Sequence, residues 1–293
     1  MTTVASRLLP LASRPGQLRA GRFSLSLDRP LIMGVVNVTP DSFSDGGRFL
    51  DTGRAIAHAR RLIEEGADIL DLGGESTRPG AAPVSAREEA DRVLPVLEAL
   101  ADAGVPISID TRHAQLMRAA LERGASMIND IQALTGPGAL DAVRESDCAI
   151  CLMHMQGEPG TMQMAPAYTD VVSEVQEFLR TRIDACIDAG IARERLVIDP
   201  GIGFGKTARH NLELLRGLCR LSELCLPILI GLSRKALLGR ITGRDVNNRL
   251  AGSVSAAVLA AERGAAIVRV HDVAATRDAL LVLRAVTDES YEP

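Results

Sequence analysis

Eight times along the chain a short aliphatic run ends on a polar residue, and an amphipathic stretch follows it. The runs are "LIMGVVN", "ADILDLGGES", "PISIDT", "SMINDI", "AICLMHM", "RLVIDPG", "PILIGLSRK" and "AAIVRVHD". Between them lie stretches with helical spacing, such as "TGRAIAHARRLIEEG", "AREEADRVLPVLEALADAG", "RHAQLMRAALERG", "DVVSEVQEFLRTRIDACIDAG" and "NNRLAGSVSAAVLAAERG". Several close on Gly, the residue expected just past a helix end, and "EEGAD", "ERGAS" and "ERGAA" repeat the same helix–Gly–strand joint. Strands alternating with helices imply βαβ units and a parallel sheet. Eight units in about 260 residues match the α/β class of (β/α)8, or TIM, barrels; an open doubly wound sheet is the alternative. No linker or low-complexity tract divides the chain. The expectation is a flexible N-terminal extension over residues 1–16 and one barrel domain over 17–293. "QLRAGRFSLSLDRP" should form a short hairpin that closes the barrel bottom.

A barrel demands that its working groups sit at the C-terminal ends of its strands. Those ends carry Asn37, Asp71 with Glu75, Asp110, Asn129, His154, Asp199, Ser233 with Lys235, and His271. Any one of them could merely cap the following helix. A convergence of all of them on one rim is harder to explain by capping.

Composition narrows the partners. Net charge is −4, with 33 Lys+Arg against 37 Asp+Glu, and there is no basic stripe. Aromatic residues are 2% and Trp is absent, so stacking platforms for bases are lacking. Nucleic acid is therefore excluded as a partner. No apolar run reaches the length of about 20 residues that spans a membrane. Five cysteines, an odd number in a chain this long, do not make a disulfide framework. Cys148 and Cys151 form C-x-x-C, which reads as a redox or zinc pair or as two strand residues facing opposite ways. No second pair exists to complete a zinc site. The first 22 residues hold Arg and Ser and no acid, as a transit peptide or a loose extension would; the cytoplasm is the default compartment.

The rim divides into two chemical kinds. Asp110, Asn129 and Asp199 can accept from the ring N–H and exocyclic amine of a fused amino-pyrimidinone. Asp110 and Asn129 fall on neighbouring strands, within reach of one ligand edge. Arg78, Lys235, Arg269 and His271 are suited to anions, and the last three fall after strands 7 and 8, where barrels commonly hold phosphate. Arg78 could equally be an exposed loop cation. Lys235, in "SRKALLG", reads as a phosphate or ring-carbonyl contact rather than a Schiff-base lysine. "GIGFGKT", residues 201–207, satisfies neither the phosphate-loop pattern, which needs Gly where Pro200 stands, nor the dinucleotide pattern, since the Gly residues run 201, 203, 205 and then Lys206 follows. It reads as a flexible rim, with Phe204 lining a pocket or packing locally. His154 is a satisfied rim histidine or a catalytic one, and Met153 can pack against a flat ligand face.

Taken in order, "GVVNVTPDSFSDGG", "DLGGESTRPGA", "SIDT", "INDI", "CLMHMQG", "DPGIGFGK", "GLSRK" and "RVHD" resemble the signature segments of bacterial dihydropteroate synthases, from about residue 20 to the C-terminus. The resemblance implies a dimeric (β/α)8 enzyme of folate biosynthesis. It would join p-aminobenzoate to 6-hydroxymethyl-7,8-dihydropterin diphosphate, release diphosphate with help from Mg2+, and be blocked by sulfonamides. It assigns Asp110, Asn129, Asp199 and Lys235 to the pterin, with Met153 and Gly231 near the ring. It assigns Thr77, Arg78, Arg269 and His271 to the diphosphate and Asn37 to the metal. Phe204, Ser233, Pro40 and Phe43 would border the p-aminobenzoate, and Asp110, Asp199, Arg78 and Lys235 would carry the chemistry. The polar loops "NVTPDSFSDGG" and "ESTRPGAAP" would then be mobile covers that exclude water. Ala236, after "SRK", and the long N-terminus depart from the commonest pattern without touching these positions. A corrinoid-dependent methyltransferase acting on methyltetrahydrofolate would lack "NVTPDSFSDGG" and "SRK". A non-catalytic pterin-binding paralogue would have lost Arg78, Lys235 or His271.

Overall fold

The computed structural model describes residues 16–38, 48–76 and 84–288. Two short strands, β1 (Gln17–Ala20) and β2 (Phe23–Ser26), form the expected antiparallel hairpin. Gly16 already belongs to it, since its carbonyl accepts from Leu27 N at 3.0 Å. The rest of the expected extension lies outside the described residues.

Eight parallel strands follow: β3 (Leu31–Asn37), β4 (Ile69–Gly73), β5 (Ile107–Asp110), β6 (Met127–Asp130), β7 (Ala149–Met153), β8 (Leu196–Asp199), β9 (Leu229–Gly231) and β10 (Ile267–Val270). Their order runs from β8 down to β3 and then through β10 to β9, and an Ile198–Ile228 bridge closes the ring. The barrel, not the open sheet, is the fold. Around it lie α1 (Arg48–Glu64), α2 (Ala86–Ala99), α3 (Ala114–Leu121), α4 (Ala139–Val143), α5 (Val171–Asp188), α6 (Ala208–Arg216), α7 (Ala236–Thr242), α8 (Leu250–Glu262) and α9 (Val273–Thr287).

The local signals act as their chemistry predicts. Ser85 caps α2 by accepting from Glu88 N, Asp170 caps α5, and Thr207 with His210 makes a reciprocal cap on α6. The joints at Gly66, Gly124 and Gly264 all take the left-handed backbone that ends a helix cheaply.

Alternation along each strand sorts side chains into two cores. Outward residues such as Leu70, Ile109, Ile128 and Ile198 pack under the helices. Inward residues Met33, Ile69, Met127, Ala149, Val197, Leu229 and Ile267 fill the bottom together with Leu18, Ala20 and Leu27 from the hairpin. The hairpin is the barrel's floor. Cys148 belongs to the outer core and Cys151 to the inner one, so the C-x-x-C pair faces opposite ways; all five cysteines are free. No described helix is long and apolar enough to cross a membrane.

Candidate active site

Above the apolar floor the inward positions become polar. Asp110 and Asn129 are register partners on β5 and β6, and Met153 and Asp199 are register partners on β7 and β8. Arg269 pairs in register with Gly231. Asp110, Asn129, Asp199 and Arg269 thus share one rim, whereas Asp71 lies one inward position below it and His154 turns to Lys206.

At its centre lies the Arg269 guanidinium. Its Nε donates to Asp71 Oδ2 at 2.6 Å and its Nη2 to Asp110 Oδ2 at 2.7 Å. Asn129 Nδ2 donates to the same Asp71 oxygen at 3.2 Å. Sequence reasoning set Arg269 with His271 in an anion corner. The structure instead ties its Nε and Nη2 to two carboxylates, and Nη1 has no partner among the described residues. Burial pushes the Asp110 carboxyl up, to about 7, against the pull of Arg269 and with help from the charge on Asp71. Asp199 is also raised by burial, while Lys235 and the Gly201 N–H, 2.7 Å from its Oδ1, work the other way.

Lys235 occupies the position just before α7, in the loop after β9, and makes no side-chain capping bond to the helix. Its neighbour Arg234 adopts φ +57°, a conformation that non-glycine residues avoid. The turn is held by Arg234 N donating to Ser253 Oγ at 3.0 Å and by the Arg234–Asp272 ion pair. Lys235 Nζ then donates to the Ile202 carbonyl and lies 4.9 Å from the centre of the Phe204 ring. Burial pulls its ammonium down to about 8, against the attraction of Asp199. Ser233 is buried and accepts from His271 N at 3.2 Å, with its hydroxyl 3.0 Å from His271 Nδ1.

Residues 201–206 are not the flexible rim that glycine content suggested. Gly201, Gly203 and Gly205 all have positive φ, and a Cβ on Gly201 would lie 1.9 Å from the His154 carbonyl oxygen. Lys206 locks the loop from inside. Its Nζ donates to His154 Nδ1 at 2.9 Å and to the carbonyls of Gly201 at 3.0 Å and Phe204 at 2.9 Å. Burial pulls the Lys206 ammonium down to about 7 and His154 down to about 3. A neutral His154, edge-on to Phe178, is therefore an acceptor for Lys206. That is its satisfied reading.

Lys206 escaped sequence reasoning, as did a second network at the top of β4 and β5. There Glu89, fully buried, accepts from Thr111 Oγ1 at 2.8 Å and meets His113 Nδ1 at 2.8 Å, while Arg112 grips Glu75 with two bonds of 3.0 Å. Glu75, Glu89 and His113 each bring a ligand atom within 4.8 Å of the others; Arg112 holds both Glu75 oxygens, and Thr111 and His113 share Glu89 Oε2, while the buried Glu89 Oε1 has no hydrogen-bond partner among the described residues. The network reads as a brace under the β4 end. Of the remaining expected residues, Pro40, Phe43, Thr77 and Arg78 lie outside the described residues, as do most of the two loops assigned as covers. Asn37 is half-buried at the end of β3, with no hydrogen bond on its side chain among the described residues.

Fold and rim together define a (β/α)8-barrel enzyme built to hold a flat amino-heterocycle. The family model described as pterin binding enzyme matches residues 33–271. Dihydropteroate synthase of Neisseria meningitidis serogroup C is 55% identical over 267 residues, 89% of this chain and 94% of that protein. Solved structures of the Xanthomonas albilineans dihydropteroate synthase are similar throughout. One with 4-aminobenzoic acid has a TM-score of 0.88 at 55% identity, covering 93% of this chain and 98% of that one. Another, in complex with 7,8-dihydropteroate, has a TM-score of 0.85 at 52% identity, covering 93% and 99%. The chain belongs to the pterin binding enzymes and, among them, to the dihydropteroate synthase family.

Proposed function

We propose that the barrel mouth joins p-aminobenzoate to 6-hydroxymethyl-7,8-dihydropterin diphosphate. The protein is a transferase that makes 7,8-dihydropteroate and releases diphosphate. The observation that carries this reading is the single rim formed by Asp110, Asn129 and Asp199, with Lys235 over it. Three groups that accept hydrogen bonds from ring N–H and amine groups face one ammonium suited to a ring carbonyl.

The C–O bond to diphosphate breaks with its electron pair leaving on oxygen. The amine nitrogen of p-aminobenzoate then bonds to the pterin methylene and loses a proton. Asp110 and Asp199 hold the ring and favour the positive charge that grows on it. His271, with Ser233 behind it, lies beside the departing anion, as would Thr77, Arg78 and the unpartnered edge of Arg269. Phe204 and Ser233 border the p-aminobenzoate.

Mg2+ fits Asn37, whose amide oxygen is uncommitted among the described residues. Mg2+ commonly takes few protein ligands and completes its octahedron with phosphate oxygens and water. Bound there, it would neutralise charge on the leaving diphosphate.

A second copy of the chain is the natural occupant of an apolar face on α8 and α9, where Leu250, Leu259, Leu281, Val282 and Val286 are exposed. The five free cysteines suit a reducing compartment such as the cytoplasm.

The test is diphosphate release measured with and without p-aminobenzoate, with the product identified by mass. Release that depends on the amine and yields 7,8-dihydropteroate supports the reading. Release at the same rate without the amine, or no product, removes it.

A further inference from the structure

We propose that Asp71 is a positioning residue that fixes which end of the Asn129 amide meets the ligand, and so makes the mouth select an amino-substituted ring over its oxo counterpart. The inference rests on the pterin reading of the site. Asp71 lies on β4 one inward position below the rim, in register with Ser108 and Val35, and is 0% exposed. It therefore acts through its neighbours and not by touching substrate.

Both hydrogen bonds that Asp71 accepts among the described residues fall on one oxygen. Oδ2 accepts from Arg269 Nε and Asn129 Nδ2, while the buried Oδ1 has no hydrogen-bond partner. A buried carboxylate with one oxygen unsatisfied is a poor choice for stability alone. It is a good choice for enforcing direction, because a carboxylate only accepts. Asn129 must turn its nitrogen down to Asp71. Its Oδ1, which no described donor engages, and its second N–H are thereby left for the ligand. An inverted amide would set oxygen against oxygen at 3.2 Å. The fixed order matches an exocyclic amine beside a ring nitrogen, and it opposes an exocyclic carbonyl.

The experiment compares kcat/KM for 6-hydroxymethyl-7,8-dihydropterin diphosphate and for the analogue bearing oxygen in place of the 2-amino group. Both are measured on the same preparation, so the ratio is independent of the folded fraction. Asp71→Asn offers Asn129 both a donor and an acceptor and releases the constraint. The amino-over-oxo preference should fall by about tenfold or more, the scale of one mismatched buried hydrogen bond. The exchange variant Asp71→Asn/Asn129→Asp places an obligate acceptor at the rim, with an amide below it, and should regain most of the preference.

An unchanged ratio in Asp71→Asn overturns the inference. So does an exchange variant no more selective than the single one. If Asp71→Asn is inactive with both substrates, selective activity in the exchange variant supports the inference, and its absence assigns Asp71 to structure alone. A wild-type enzyme that makes no 7,8-dihydropteroate would instead undo the pterin reading.

Discussion

Gly201→Ala probes how tightly the loop after β8 is built into the site. Gly201 sits at φ +66°, and an added Cβ would lie 1.9 Å from the His154 carbonyl oxygen. The left-handed backbone costs an alanine roughly 1–2 kcal/mol. Relieving the overlap costs about 1–3 kcal/mol more, because the obstacle is backbone and not a movable side-chain tip. The sum is a loss of about 2–5 kcal/mol, read from urea denaturation. Gly190→Ala is the control. Its φ is +86°, and a Cβ there meets nothing within 4 Å, so only the backbone cost applies. Gly201 N also donates to Asp199 Oδ1 at 2.7 Å, so pterin binding should weaken in Gly201→Ala and stay unchanged in Gly190→Ala. Equal losses of stability in the two variants, or full pterin affinity in Gly201→Ala, would refute the steric reasoning.

Four further outcomes are expected. Burial holds the Lys235 ammonium near 8, so pterin affinity measured by calorimetry should decline as pH rises through about 8, and Lys235→Ala should abolish the dependence along with most of the affinity. The same depressed value makes the unfolded chain bind more protons between about 8 and 10.5, so this group's contribution to stability grows as pH climbs across that window. Chelation by EDTA should lower turnover and added Mg2+ restore it, with Asn37→Ala raising the Mg2+ concentration needed by about tenfold, one lost ligand of roughly 1.4 kcal/mol. Val282→Asp/Val286→Asp, on an exposed face of α9, should shift the protein from dimer to monomer in light scattering without altering the melting of the barrel.

The eight strands were legible because a strand buried on both faces writes a continuous apolar run, and because each run stopped at a polar residue. The hairpin and the Asp110–Asn129 adjacency followed from turn chemistry and strand order. What escaped was long-range pairing between charges. Arg269 and Asp71 are 198 residues apart, and no periodicity in either segment announces their bond. From its own segment, Arg269 therefore reads as an open cation. Lys206 was passed over for a related reason: a Lys in a glycine-rich loop looks solvated, and only the carbonyls of Gly201 and Phe204 closing around it reveal a buried ammonium. Glu89 faces inward from α2 with no local cue that Thr111 and His113 await it.

The inward layers of the barrel change character with height, and that gradient bears on the chemistry. Ile69, Met127 and Val197 keep water out below, so charges above them interact strongly. Asp71, Asp110 and Asp199 face Arg269 and Lys235, and Lys206 also acts on Asp199, so carboxylates and cations balance in formal count. Burial strains the charged form of these carboxylates, since it lifts the Asp110 carboxyl to about 7 and raises Asp199 as well. A ring that becomes positive as its diphosphate departs relieves the strain, whereas the neutral ring does not. Charge that is costly in the empty mouth is thus best satisfied when the C–O bond is breaking, and stabilisation confined to that moment accelerates the reaction instead of merely tightening binding.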